Sequence, residues 1–134
     1  MKKQIFVNLP VKNLSKTRVF FEQLGYSFNP QFSNDDAGCM VISDTIYAML
    51  LTETYFKTFI KKEVADAQKT TEVILALSVE SREAVDEMLK KVLAAGGTET
   101  GEAQDHGFMY LRTFYDLDGH TWEIFWMDPA AAQG

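Results

Sequence analysis

Glu123 is the residue of this chain whose type and position most directly indicate chemistry. It lies in the middle of residues 121–127, a segment of aromatic and β-branched side chains that predicts a β-strand. Successive side chains of a strand point to opposite faces, so Glu123 shares its face with Thr121, Phe125 and Met127. A carboxylate in such a strand either lines a cavity, where it meets a ligand or metal ion, or lies on a solvated face. Because both faces of the strand are largely apolar, we favour the cavity.

Other side chains that could carry chemistry are few, since the chain has two histidines and one cysteine. His106 and His120 fall in predicted loops, where a solvated position is more common than a ligand role. Cys39 cannot form a disulfide within the chain, and it lies in the apolar stretch 39–42. It is therefore predicted to be a small buried hydrophobic residue rather than a nucleophile.

Composition excludes several classes of function. The 134 residues fit one domain, and a net charge of −6 argues against binding to nucleic acid. No phosphate-binding loop, dinucleotide fingerprint or zinc-ligand spacing is present. No apolar run is long enough to cross a membrane and no leader peptide is recognisable, so we expect no membrane partner and a cytoplasmic location.

Two similar series of elements position these residues. Each half of the chain predicts a strand, a helix and three further strands. In the first half these are residues 5–9, a helix over 15–24 capped by Ser15 and ending before Gly25, then 26–28, 39–43 and 46–51. In the second half they are residues 73–79, a helix from the cap Ser81 to 94–97, then 98–103, 108–114 and 121–126. Residues 116–119, Asp-Leu-Asp-Gly, predict the turn between the last two strands.

These elements predict a single domain of two βαβββ modules, residues 1–52 and 72–128. Residues 53–71 between them predict a connector, either an amphipathic helix or a mobile segment. Residues 129–134 predict a frayed tail. The aromatic side chains Tyr55, Phe56 and Phe59 of the connector either pack on a sheet edge, which we favour, or cover a pocket or a partner chain.

Four stretches in this order resemble the vicinal oxygen chelate superfamily, which contains glyoxalase I, extradiol dioxygenases and bleomycin-resistance proteins. They are Phe-Val-Asn-Leu-Pro-Val-Lys-Asn-Leu at 6–14, Val-Phe-Phe-Glu-Gln-Leu-Gly at 19–25, Ala-Ala-Gly-Gly at 94–97, and Asp-Leu-Asp-Gly-His-Thr-Trp-Glu at 116–123. The resemblance implies an α+β fold in which paired βαβββ modules form a cup-shaped, half-open barrel. It also implies a homodimer and a small-molecule ligand.

The resemblance further implies a metal site in metal-dependent members, with His, Gln or Glu ligands on the first and last strands of each module. In this chain those positions hold Phe6, Leu51, Ile74 and Glu123, so that only Glu123 matches. Since the other three side chains offer no donor atom, we expect no cofactor. The alternative is a Ni, Zn, Mn or Fe ion held by Glu123 with non-standard ligands drawn from His106, His120, Asp105 and Glu53.

The sequence thus leaves three hypotheses open. The first is a metal-free protein that binds a small, largely apolar molecule in the cup. The second is a glyoxalase I-like lyase or a dioxygenase with unconventional ligands, and the third is a protein whose segment 55–59 docks a partner. Glu123 would serve as a general base, as an anchor for a cationic ligand, or as half of a structural pair with Arg112. The expected pocket side chains are Phe6, Asn8, Tyr47, Met49, Leu51, Ile74, Glu123 and Phe125.

Overall fold

The computed structural model describes residues 1–132, which form two compact units, Met1–Asp66 and a second unit from Ala67 onward. Each unit contains one mixed β-sheet and one principal helix. The predicted α+β class is therefore confirmed. None of the helices in the described part of the chain has the length and apolar character to cross a membrane.

The first unit is built around a four-stranded sheet with the order β1-β4-β3-β2. Strand β1 pairs in parallel with β4, and the other pairs are antiparallel. A single 3₁₀ turn, Pro30–Phe32, precedes β3. The elements are β1 (Ile5–Val11), α1 (Leu14–Gln23), β2 (Ser27–Phe28), β3 (Ala37–Val41), β4 (Ile46–Thr52) and α2 (Glu53–Lys57).

Helix α1 covers the sheet face that carries Leu9, Met40 and Leu50, all at most 5% exposed. Its own buried side chains include Phe20 and Phe21. Removing this apolar surface from water is the main source of the unit's stability. The face of β1 that carries Phe6 and Asn8 points away from α1.

The two principal helices end in the same way. Gly25 and Gly96 have φ angles of +106° and +103°, a left-handed conformation that glycine adopts without steric cost. After α1, the amides of Gly25 and Tyr26 donate to Glu22 and Phe21; after α3 (Arg82–Ala94), those of Gly96 and Gly97 donate to Leu93 and Val92. These two hydrogen bonds at each helix end give partners to carbonyls of the last turn. The predicted helix end at Gly25 is confirmed.

The starts of the helices agree with the sequence in one case and not in the other. Ser81 caps α3 by accepting a hydrogen bond from the Ala84 amide at 3.0 Å, as predicted. The prediction of Ser15 as the cap of α1 is wrong. Asn13 holds that position and accepts from the Lys16 amide at 3.0 Å, since asparagine caps a helix as well as serine does.

The second unit contains a five-stranded sheet with the order β5-β9-β8-β6, and β7 also pairs with β8. Strand β5 pairs in parallel with β9, and β8 pairs antiparallel with β9. Of the predicted strand over 98–103, only Thr98–Glu99 is a strand, because the chain turns at Gly101, whose φ is +72°; a further short strand follows at Gln104–Asp105. The elements besides α3 are β5 (Ile74–Ser78), β6 (Thr98–Glu99), β7 (Gln104–Asp105), β8 (Met109–Tyr115), β9 (Thr121–Met127) and α4 (Pro129–Ala132).

The turn between β8 and β9 is held by the buried side chain of Asp116. One carboxylate oxygen accepts from the amides of Asp118 and His120, at 2.9 and 3.0 Å, and the other accepts from Trp122 Nε1 at 2.9 Å. Burial raises the pKa of Asp116, and the attraction to His120 and these hydrogen bonds act in the opposite direction. At Gly119, with φ +90°, an added Cβ would lie 2.8 Å from the carbonyl oxygen of Ala67. The turn position therefore requires glycine.

The segment predicted as a connector and the segment predicted as a frayed tail each contain one short helix. Only residues Glu53–Lys57 of the connector are helical, and Tyr55 packs edge-on against Phe59 at a ring-centroid distance of 5.0 Å. The tail begins with the single helical turn α4, and Gln133 and Gly134 lie outside the described residues.

Candidate functional site

Glu123 lies near the centre of the second sheet, on the face opposite α3. Its register partners are Ala76 on β5 and Thr113 on β8. Its side chain is half-buried, and within residues 1–132 its carboxylate makes no hydrogen bond and no ion pair. Its carboxylate therefore takes part in none of the ion pairs that hold the described part of this sheet.

The rest of this face is apolar or carries hydroxyl groups. Ile74 is 58% exposed, whereas Leu111 is buried. Thr121 is buried and shares a hydrogen bond of 3.3 Å with Thr71. By register, the strand residues of β5, β8 and β9 on this face are Ile74, Ala76, Ser78, Met109, Leu111, Thr113, Tyr115, Thr121, Glu123, Phe125 and Met127. Glu123 is the one charged residue among them.

Arg112, considered from the sequence as a partner of Glu123, lies on the other face of the sheet. The hairpin register pairs Thr113 with Glu123 and Arg112 with Ile124, so Arg112 points toward α3. It forms a two-point ion pair with Glu99, with N–O distances of 2.8 and 2.7 Å, and its third nitrogen donates to Asp86 at 2.9 Å. The predicted Glu123–Arg112 pair is therefore wrong.

Tyr110, Asp86, Arg112 and Glu99 form one network of hydrogen bonds and ion pairs. The Tyr110 hydroxyl donates to Asp86 at 2.7 Å, which lowers the pKa of Asp86 and raises that of Tyr110. The hydrogen bond from Arg112 lowers the pKa of Glu99, and the pKa of Arg112 is raised in turn. Charge-assisted, two-point bonds of this kind fix side-chain geometry. This network joins α3 to β6 and β8.

A second arginine on the α3 side, Arg82, is also held by hydrogen bonds and an ion pair. Arg82 binds both oxygens of Asp105 at 2.8 and 3.0 Å and the Gly107 carbonyl at 2.7 Å. Its guanidinium lies 5.4 and 5.1 Å from the ring centres of Tyr110 and Trp126. The hydrogen bonds from Arg82 lower the pKa of Asp105 to about 2.

Sequence reasoning missed both networks on the α3 side. Tyr110, Arg112 and Phe114 occupy alternate positions of β8, and this spacing predicts that their side chains share one face of the sheet. Their partners Asp86 and Glu99 are distant in the sequence and carried no comparable signal.

The predicted residues of the first unit lie together on the sheet face opposite α1. The register pairs Phe6 with Tyr47 and Asn8 with Met49, and Leu51 continues the same face. The Phe6 and Tyr47 rings stack with a centroid distance of 4.6 Å and an interplanar angle of 8°. Phe6 is nevertheless 46% exposed, whereas Leu51 is buried. An aromatic pair with one ring open to solvent offers a stacking surface.

The donor set does not fit the metal site that metal-dependent members of the superfamily use. Phe6, Leu51 and Ile74 supply no oxygen or nitrogen donor. Across residues 1–132, no three His, Cys, Asp or Glu side chains are grouped so that they could hold an ion.

The alternative donors named from the sequence lie on several different elements. Asp105 is bound to Arg82 on the α3 side of the sheet, and His106 is exposed beside it. His120 lies in the β8–β9 turn, and Glu53 is the first residue of α2 in the other unit. Cys39 is buried, as predicted, and burial raises the pKa of its thiol.

Comparison with solved structures supports the fold over nearly the whole chain. The hypothetical protein SA1046 of S. aureus is 28% identical, with a TM-score of 0.78, and the match covers 93% of this chain and 94% of that one. A glyoxalase/bleomycin resistance protein/dioxygenase family enzyme of Burkholderia phytofirmans is 14% identical, with a TM-score of 0.77 and coverage of 94% and 99%.

Fosfomycin resistance proteins share the fold as well. FosX of Listeria monocytogenes is 18% identical, with a TM-score of 0.67 and coverage of 94% of this chain and 93% of that one. At that identity the likeness concerns the fold alone. The sequence comparison with curated proteins finds no match.

The family model for the Glyoxalase/Bleomycin resistance protein/Dioxygenase superfamily matches residues 4–124. This range runs from the start of β1 to the middle of β9 and so includes both units. The chain belongs to the glyoxalase/bleomycin resistance protein/dioxygenase superfamily.

Proposed function

We propose that this protein binds a small, largely apolar molecule on a strand face opposite a principal helix, of which each unit presents one, without the metal ion that many members of its superfamily use. The observation that carries the proposal is the position of Glu123. It is a half-buried carboxylate with no partner among the described residues, on a face that is otherwise apolar or hydroxyl-bearing. Mostly apolar walls with a few orienting polar groups are typical of small-molecule sites.

The first unit supports the same function through its aromatic pair. Phe6 stacks on Tyr47 and remains nearly half exposed, with the side-chain amide of Asn8 on the same face. An exposed aromatic ring next to an amide can bind a planar apolar group by stacking and a polar group by hydrogen bonding.

The binding proposal is tested by a thermal-shift screen of small aromatic and amphiphilic molecules, followed by calorimetric titration of the best one. We expect Phe6→Ala to weaken binding of that molecule about tenfold, since a well-packed aromatic contact contributes on the order of 1–2 kcal/mol. The matched control is Phe32→Ala, which removes a ring of similar exposure, 62%, from the 3₁₀ turn of the same unit. Equal affinity in both variants would contradict a role for the β1 face.

The absence of a metal is tested by elemental analysis of the protein with and without added nickel, zinc, manganese and iron. We expect no stoichiometric ion. An ion retained by the wild type and lost in Glu123→Gln would instead favour a metal-dependent lyase or dioxygenase with unconventional ligands.

We also propose a homodimer. Support comes from the edge strand β5, whose residue Ile74 is 58% exposed and whose neighbour Val73 is 51% exposed. An exposed edge strand offers unpaired backbone groups for pairing with another chain, and exposed apolar side chains beside it favour such an interface. Light scattering should give twice the mass of 15.2 kDa, and a monomer would contradict the proposal. A cytoplasmic location remains a prediction from the sequence.

A further inference from the structure

We infer that Glu123 binds a cationic group, a protonated amine, on the molecule that this protein takes up. The inference rests on the proposed function and adds the chemical class of the ligand: an apolar, ring-containing body with one positively charged nitrogen.

The first argument is the charge of the surface around Glu123. The strand residues on its face bear one formal charge, that of Glu123 itself. The nearest cross-strand neighbours are the methyl group of Ala76 and the hydroxyl group of Thr113. A ligand on this face therefore meets a single negative charge in apolar surroundings, where an opposite charge is attracted more strongly than in water.

The second argument is that the cations of the second unit are placed elsewhere. Arg82 is bound to Asp105, Arg112 to Glu99 and Asp86, and Lys90 to Glu87. Lys91 is exposed in the last turn of α3, and Lys69 is exposed in the segment before β5. The acids Asp86, Glu99 and Asp105 are paired with arginine on the α3 side, whereas Glu123, on the opposite face, has no such partner within the described residues.

The third argument concerns hydrogen bonding. An ammonium group has three N–H donors and no acceptor. The Glu123 carboxylate accepts with two oxygens, and the neighbouring Thr113 hydroxyl makes no hydrogen bond within residues 1–132. Together they can accept all three donors of a primary ammonium, whereas a carboxylate or phosphate ligand would be repelled by Glu123.

The inference is tested by calorimetric titration of the full chain with three probes of one shape at pH 7. These are 2-naphthylmethylamine, which is protonated, the neutral 2-naphthylmethanol and the anionic 2-naphthoate. We expect the amine to bind at least about tenfold more tightly than the alcohol, a ratio that corresponds to about 1.4 kcal/mol, and the anion to bind most weakly.

The variant Glu123→Gln should bring the amine and the alcohol to equal affinity while the alcohol still binds. The control Glu102→Gln makes the same change in net charge on an exposed loop residue and should keep the wild-type ratio, which separates local pairing from long-range steering.

The outcomes distinguish this inference from the proposed function. Equal binding of amine and alcohol by the wild type overturns the cation-binding role and leaves the apolar site intact. A preference for the amine that persists in Glu123→Gln also overturns it. Failure of all three probes to bind overturns the inference together with the proposed function.

Discussion

The two faces of the second sheet treat charge in opposite ways. On the side of α3, Arg112 is paired with Glu99 and Asp86, and Arg82 with Asp105, through distances of 2.7–3.0 Å. On the opposite side, Glu123 has no such partner within the described residues. Adjacent residues of the same strand contribute to the two faces, since Arg112 points toward α3 and Thr113 lies beside Glu123 on the opposite face.

This difference separates charges that hold the fold together from a charge that is available for binding. Paired groups on the α3 side fix the helix and the short strand β6 to the hairpin, so removing one member leaves others unpaired. Glu123 stabilises nothing that the structure shows, so replacing it should leave the fold intact. The predictions below test that division, and a uniform response of both faces would contradict it.

The largest effect is expected for Arg112→Ala. The change leaves the part-buried Glu99 and the more exposed Asp86 without their cation, and we expect the free energy of unfolding to fall by about 1–2 kcal/mol. Urea denaturation measures this loss. Lys91→Ala, on the exposed side of α3, is the control and should change stability by less than about 0.5 kcal/mol. Similar losses in the two variants would show that the network contributes little.

Acid should reproduce part of that loss. Hydrogen bonds and charge hold the pKa values of Asp86 and Glu99 below their ordinary values of 3.8 and 4.5, and that of Asp105 at about 2. An acid with a lowered pKa in the folded state stabilises the fold above its unfolded pKa, and this contribution is lost as the pH falls through the folded pKa. We therefore expect the free energy of unfolding to decline from near pH 4.5 toward pH 2.

The acid sensitivity should depend on the network. Denaturation series at several pH values should give a shallower decline for Arg112→Ala than for the wild type, because Glu99 loses the hydrogen bond that lowers its pKa most and Asp86 keeps only the one from Tyr110. Parallel curves for the two proteins would be the contradicting result.

The same isosteric change on the two faces should have unequal effects. Glu99→Gln replaces a two-point ion pair with a weaker neutral contact and should cost about 1 kcal/mol of stability. Glu123→Gln removes a half-buried charge that has no partner and should leave stability within about 0.5 kcal/mol of the wild type, or raise it. Thermal unfolding compares the two variants directly, and an equal loss would place Glu123 in a structural role.

The smallest effects are expected for single hydroxyl groups. Tyr110→Phe removes the donor to Asp86 and should cost about 0.5–1 kcal/mol. Thr113→Val on the Glu123 face removes a hydroxyl that has no partner among residues 1–132 and should be close to neutral. If Thr113→Val proves the more damaging change, its hydroxyl has a structural partner and the ligand site loses one of its proposed acceptors.

The sequence predicts most of the fold because strand alternation and helix ends depend on nearby residues. Alternation correctly places Phe6 with Asn8 and Glu123 with Phe125 on common faces, and the left-handed conformation at Gly25 follows from residue type.

The partner of Glu123 could not be predicted in this way, because the register of a hairpin depends on the geometry of its turn. The turn is one in which Tyr115 pairs with Thr121, so that Thr113 rather than Arg112 lies opposite Glu123. A shift of one residue would have reversed the assignment. The ion pairs of Arg112 were likewise hidden, since they join residues of three separate elements.

The parallel pairing of the first and last strands in each unit has a consequence for how the chain folds. Ile5 pairs with Ile46, and Ile74 pairs with Thr121, so each parallel pair closes nearly the whole of its unit. The β8–β9 hairpin, in contrast, pairs neighbouring residues across a turn that Asp116 already organises. Contacts between residues far apart in the sequence have a larger loop-closure entropy cost. The hairpin should therefore form early, and the strands β1 and β5 should dock last. During synthesis on the ribosome, β1 must therefore wait for β4 to emerge before the first sheet can close.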